Sequence, residues 1–284
     1  MSRCLITRDT SLMQSFSSSP TSMLSSILNN KSLIRALILR EITGRYKGSI
    51  LGLLWSFVTP LFMLLVYTFF FSVVFKARWS GGSDSKSEFA LVLFAGLLLF
   101  NLFSECVNRA PGLILSNPNY VKKIVFPLEI LPFVSLGAAL FHGAISLLVW
   151  LLFYVVLFGI PPVTALSLPL IVLPLSLLIL GVSWFLAALS VYLRDISQLI
   201  GILTTALLFM SPIFYPVSAL PESYHVFLKS NPLTFPVEMA RDALFWGAWP
   251  HWEGLVIYYV VTFLVAWLGF AWFQKTRKGF ADVI

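Results

Sequence analysis

Between Ile130 and Leu193 the chain carries no Asp, Glu, Lys or Arg. A helix rises about 1.5 Å per residue, so roughly 20 apolar residues cross a hydrocarbon core of about 30 Å. The uncharged run is too long for one crossing and too apolar for water, so it has to be cut. Gly159-Ile160-Pro161-Pro162-Val163-Thr164 supplies the cut, because two prolines remove backbone donors and bias the preceding residues away from helix. Gly48 to Phe75, Phe89 to Ser104, Ile196 to Pro221 and Gly254 to Gln274 are likewise free of charged side chains. With 58% hydrophobic and 11% charged residues, lipid is the main solvent. The fold expected is all-α and polytopic, with six transmembrane helices at about 50–75, 89–109, 131–158, 165–192, 197–216 and 252–274.

Positive charge sets the orientation. Arg3, Arg8, Lys31, Arg35, Arg40, Arg45 and Lys47 precede the first span, Arg109, Lys122 and Lys123 follow the second, Arg194 follows the fourth, and Lys275, Arg277 and Lys278 follow the sixth. These all fall on one side. Lys76, Arg78, Lys86, Lys229 and Arg241 fall on the other, mixed with Asp84, Glu88, Glu222, Glu238 and Asp242. Both termini are therefore expected in the cytoplasm, and the net charge of +7 is a topology signal and an attraction to anionic lipid rather than a mark of nucleic-acid binding. Residues 1–30 hold nine serines between Ser2 and Ser26 and no apolar run of signal-peptide length. They read as a disordered, uncleaved tail, with an organellar transit peptide or a misassigned start codon as alternatives. Cys4 and Cys106 lie too differently placed to pair and have no metal-ligand spacing.

Lys31 to Lys47 reads as an amphipathic helix on the inner surface. Leu33, Ile34, Leu37 and Ile38 form its apolar arc, and Glu41 falls on the same arc and ends it; the arc serves either as a membrane anchor or as a docking surface for a partner. The first span carries Trp55, Pro60, Tyr67 and Phe69-Phe70-Phe71, and the second ends in Asn101, Glu105 and Arg109 on one face. Ionisable groups there are costly in lipid, and an intrahelical Glu105–Arg109 pair is the simplest partner arrangement. Between Pro111 and Pro132, Asn117-Pro118 and Phe126-Pro127 bracket a segment, Asn119 to Val125, long enough for about two helical turns. Ser211-Pro212-Ile213-Phe214-Tyr215-Pro216, then Pro221, Pro232, Pro236 and Pro250, break the sequence between the fifth and sixth spans. This segment is expected to re-enter the outer half of the membrane, either as a gate or as an interfacial cap.

No carboxylate pair, Ser/His/Asp set or metal cluster supports a catalytic site. His142 is a lone histidine within a span and reads as a hydrogen-bonded packing residue. Without acidic groups near span centres, proton- or sodium-coupled transport is disfavoured. No G-x-x-x-x-G-K-[ST] loop occurs, so any ATP hydrolysis belongs to another chain. A glycan-modifying membrane enzyme and a passive channel are the rival classes.

Arg40 to Phe75 (REITGRYKGSILGLLWSFVTPLFMLLVYTFFFSVVF), Asn119 to Pro132 (NYVKKIVFPLEILP), VYLRDI at 191–196, SPIFYPVSALPE at 211–222, NPLTFPVEMAR at 231–241 and the closing WFQKTRKGFADVI resemble the type-2 ABC permeases that export polysaccharides. The resemblance runs from Lys31 onward and is strongest to permeases for O-antigen and related lipopolysaccharide chains, with teichoic-acid and capsule permeases as relatives. It implies a multi-pass protein of a bacterial inner membrane that forms a homodimer. It also implies two copies of a cytoplasmic ABC ATPase, which carry the ATP and Mg, and a polyprenyl-diphosphate-linked polysaccharide as substrate, with no cofactor on this chain. Under it, ATPase coupling falls to Arg35, Glu41, Asn119, Tyr120, Val121, Lys122 and Lys123. The channel-lining aromatics would be Tyr67, Phe70, Phe209, Phe214 and Tyr215. Arg40, Arg45 and Lys47, beside the first span, suit attraction of the lipid diphosphate because charge-assisted donors match phosphate oxygens.

Overall fold

The computed structural model describes residues 17–70, 86–122 and 126–284, and every regular element among them is helical. In chain order these are α1 (Pro20–Asn29), α2 (Lys31–Tyr46), α3 (Trp55–Tyr67), α4 (Lys86–Arg109), the single turns α5 (Gly112–Leu115) and α6 (Pro118–Val121), and α7 (Leu131–Phe158). There follow α8 (Leu168–Tyr192), α9 (Ile196–Met210), α10 (Glu222–Ser230), α11 (Thr234–Arg241), α12 (Trp252–Thr276) and α13 (Phe280–Val283). Five stretches among the described residues are long and apolar enough to cross a membrane: Gly52–Phe70, Ser87–Arg109, Leu128–Phe158, Val163–Tyr192 and Trp252–Val283. The protein is an all-helical, multi-pass membrane protein. Residues 71–75, assigned from sequence to the first span, and Lys123 lie outside the described residues.

The expected fifth span is shorter than its uncharged run. α9 has 15 residues, about 22 Å of rise, less than the hydrocarbon thickness. It stops because Pro212 forces Ser211 into extended backbone, at φ −92° and ψ 149°. The long uncharged run breaks after Phe158, where Gly159 takes φ +89°, a conformation open to glycine at little cost.

The serine-rich stretch read as disordered ends in order. Ser19 Oγ accepts from the Ser22 amide at 3.2 Å and Pro20 occupies the first turn, an N-terminal arrangement that starts α1. Met23 is buried, and Trp267 Nε1 on α12 donates to the Ser18 carbonyl at 3.0 Å.

α4 forms the buried centre of the bundle. Trp150 on α7 donates its indole N–H to the Leu91 carbonyl of α4 at 2.8 Å, so its bulk is buried without an orphaned donor. α8 and α12 pack along their lengths and meet backbone to backbone at Gly181 and Gly269. A Cβ on Gly269 would lie 2.1 Å from the Gly181 carbonyl oxygen, so backbone meets backbone, as small residues permit between membrane helices.

The apolar arc of α2 packs in part against the chain itself. Ile34 and Leu37 pack with Ile130 and Val134, and Ile38 sits over Gly137, where a Cβ would come within 2.3 Å of Ile38 Cδ1. At the end of α4 remote from Arg109, the broken segment after α9 folds back into protein. Val237, Ala240 and Arg241 of α11 are buried. Arg241 Nε donates to Val92 O at 3.1 Å, and its two terminal nitrogens donate to the carbonyls of Ile213, at 2.6 Å, and Pro212. Irregular backbone in an apolar setting needs partners of this kind.

Candidate functional site

α2 ends beside the polar end of α4, and that junction gathers two acidic and two basic side chains. Glu41 and Arg45 on α2 are one helical turn apart and reach towards Glu105 and Arg109, one turn apart on α4. Arg109 donates to Glu41, and Arg45 donates to Glu105. His142 of α7 completes the group, with Nδ1 at 3.0 Å from Glu105 Oε1 and 3.0 Å from Arg45 Nη1. The intrahelical Glu105–Arg109 pair expected from spacing is the outer contact, at 3.9 Å; the closer partners come from other helices. His142 is therefore not solitary. Its ring lies edge-on to Tyr46 at 6.1 Å, and burial raises the Tyr46 phenol above its ordinary value by more than neighbouring Arg45 lowers it.

Two of the spaces that open on this cluster are large. A cavity of about 560 Å³ between α3, α4 and α7 is lined by Trp55, Tyr67, Asn101, Glu105, Asn108 and His142 among others. A more open groove of about 430 Å³ is lined by Arg40, Glu41, Gly44, Arg45 and Arg109. Of the cations assigned from sequence to the diphosphate, Arg40 and Arg45 lie in this groove, while Lys47 is exposed one residue beyond α2. Arg109 joins them, which the sequence reading missed. Glu41, grouped from sequence with the coupling residues, sits in the groove against Arg109. A carboxylate on an otherwise apolar arc was the signal that a cation had to approach from elsewhere.

A second polar cluster ties the connection between α4 and α7 to the end of α12. Arg277 Nη1 donates to Glu129 Oε2 at 2.5 Å and Nη2 donates to the Phe126 carbonyl at 2.8 Å. The Phe126 ring stacks on Tyr120 at 4.1 Å and 9°. Ser26 Oγ of α1 donates to the other Glu129 oxygen at 3.4 Å. Tyr120 and Val121 are half-buried, Asn119 and Lys122 are exposed, and Arg35 is exposed on α2. The bracketed segment forms one helical turn, Pro118–Val121, with 123–125 outside the described residues.

The aromatics proposed for a path do not form one described surface. Tyr67 lines the cavity beside α4. Phe209 and Phe214 stack at 5.6 Å and 30°, and the Tyr215 hydroxyl donates to the Phe209 carbonyl at 3.0 Å, joining the end of α9 to the turn that follows. Phe70 and Phe209 are exposed. Among the described residues no group of three or more His, Cys, Asp or Glu side chains is placed to hold a metal.

A family model for the ABC-2 type transporter matches residues 32–245. The chain belongs to the ABC-2 type transporter family. Similar members include the O-antigen export system permease protein of Myxococcus xanthus, 26% identical over 256 residues, covering 89% of this chain and 96% of that one. The O-antigen export system permease protein of Klebsiella pneumoniae is 24% identical over 246 residues, 86% of this chain and 92% of that one. The polysialic acid transport protein of Escherichia coli is 27% identical over 241 residues, covering 84% and 90%. This ABC-2 chain is thus a membrane permease subunit related to polysaccharide export systems.

Proposed function

We propose that this chain is the transmembrane subunit of an ATP-driven exporter that moves polyprenyl-diphosphate-linked, O-antigen-like polysaccharide from the cytoplasm across a bacterial inner membrane. The observation that carries the reading is the groove at the basic end of the bundle, where Arg40, Arg45 and Arg109 meet Glu41, in a family whose similar members export O-antigen. Guanidinium groups bind phosphate oxygens in bidentate geometry, so such a groove suits the diphosphate of a carrier lipid. The proposed assembly is a homodimer with both termini cytoplasmic and one ABC ATPase docked to each subunit through Arg35, Asn119, Tyr120, Val121, Lys122 and Lys123. α9 serves as the fifth of six spans, with the turn at 211–216 completing its length, and α10 and α11 form the gate on the far side. Phe209, Phe214 and Tyr215, with Tyr67 and Phe70, give the sliding glycan weak, sequence-tolerant stacking faces.

The test is reconstitution of the chain with its cognate ABC ATPase in liposomes loaded with lipid-linked glycan. Glycan is expected on the far side only during ATP hydrolysis, and Arg40→Ala with Lys47→Ala is expected to leave the complex assembled while slowing export. Passage without hydrolysis would make the chain a channel. Modification of the glycan without any ATPase would make it an enzyme.

A further inference from the structure

The groove on α2 is a mixed site. Arg40, Arg45 and Arg109 line it with Glu41 as the one carboxylate in its wall. Gly44 leaves it open, since a Cβ there would meet no atom within 4 Å. The two carboxylates that serve these arginines are held differently. Glu105 is fixed by His142 and Arg45, with Arg109 at 3.9 Å, and its side chain is 19% exposed. Glu41 has Arg109 as its described ion-pair partner and is 34% exposed. Glu105 belongs to the scaffold, whereas Glu41 can swing into water by side-chain rotation alone.

We propose that Glu41 is a built-in stand-in for a phosphate: its carboxylate occupies Arg109 while the site is empty and yields that guanidinium to the diphosphate of an arriving carrier lipid. The inference rests on the export reading above and names the residues that receive the headgroup. A half-buried arginine left without an anion is costly, and the exchange keeps Arg109 paired before and after loading. Phosphate is the better partner because it carries more charge and offers oxygens to Arg40 and Arg45 as well as to Arg109, while a carboxylate satisfies one fork. The same exchange supplies release: once the headgroup moves on, Glu41 retakes Arg109 and disfavours its return. Glu41 thereby sets both affinity and off-rate, a role distinct from contact with an ATPase.

The sign of one substitution separates this from a structural salt bridge. Glu41→Gln removes the competing anion, so the complex of chain and ATPase in nanodiscs is expected to bind polyprenyl diphosphate roughly three- to tenfold more tightly and to release it more slowly. Arg109→Gln is expected to weaken binding, and in that background Glu41→Gln is expected to change nothing, because the group competed for is gone. A merely structural pair gives unchanged or weaker binding in Glu41→Gln, and either result overturns the proposal. Arg109→Gln alone keeps the idea falsifiable if Glu41→Gln does not fold: undiminished binding sinks it. Inorganic pyrophosphate is the second probe. Tightening seen with both probes supports exchange at the headgroup alone, and tightening confined to the lipid supports exchange that also needs the prenyl chain. Wild-type complex that binds the lipid without any effect of Glu41→Gln refutes the exchange only, whereas wild-type complex that binds no diphosphate lipid refutes the export reading with it.

Discussion

Arg241 is 3% exposed and holds the carbonyls of Val92, Pro212 and Ile213 at once. Those carbonyls belong to the N-terminal part of α4 and to the turn that ends α9, where Pro212 interrupts the helical ladder. Truncation would leave acceptors buried in an apolar setting, each worth about 1–3 kcal/mol. Arg241→Ala is therefore expected to destabilise the protein by roughly 3 kcal/mol or more, read as a large drop in melting temperature in detergent. Arg241→Lys is expected to recover only part, since one ammonium cannot match the three-way geometry of the guanidinium. Gly96→Ala tests the same contact from α4, because its Cβ would stand 2.6 Å from Arg241 Nη2; an intermediate loss of about 1–3 kcal/mol is expected. The motif NPLTFPVEMAR was visible in sequence as a block, but the reason it ends in arginine was not. The same limit applies to Glu105. Spacing along one helix pointed to Arg109, whereas the close partners, Arg45 and His142, lie 60 and 37 residues away and leave no periodic trace.

Elements were legible where one physical signal dominates. Absence of charge over long runs marked the apolar helices, and the two prolines after Gly159 marked the break between α7 and α8. What an amphipathic stripe does not encode is its cover: the arc of Leu33, Ile34, Leu37 and Ile38 was plain, yet Ile130, Val134 and Gly137 of the same chain pack against part of it. Nor does hydropathy tell a full crossing from a shorter helix followed by a proline turn such as the one that ends α9 at Ser211. Helix crossing is equally hidden, since Gly181 and Gly269 are unremarkable glycines until α8 and α12 meet. Gly269→Leu is expected to pry these helices apart and abolish monodisperse protein in size-exclusion chromatography. Gly143→Ala on α7, where a Cβ would meet nothing within 4 Å, is expected to leave the elution profile intact. Equal behaviour of the two variants would refute the close crossing.

Across the whole molecule, the connection between α4 and α7, the end of α12 and the N-terminal helix converge on one carboxylate. Glu129 takes Arg277 on one oxygen and Ser26 on the other, while Arg277 also reaches the Phe126 carbonyl beneath the Tyr120 ring. Under the proposed function, an ATPase pressing on the turn that carries Tyr120 would act through Phe126 and Arg277 on the last apolar helix. Glu129 and Arg277 are 13% and 11% exposed at their side chains, so solvent screens the pair little and its coupling is expected to reach about 1–3 kcal/mol in a double-mutant cycle of Glu129→Gln and Arg277→Gln. Stability alone would not distinguish a transmission element from a rivet. Arg277→Gln keeps the helices but frees the Phe126 carbonyl, so the complex is expected to assemble and hydrolyse ATP while exporting less glycan per ATP consumed. Loss of hydrolysis and export in equal proportion would instead assign the pair to assembly. The comparison needs hydrolysis and export measured on the same reconstituted vesicles, because only their ratio reports whether force reaches α12.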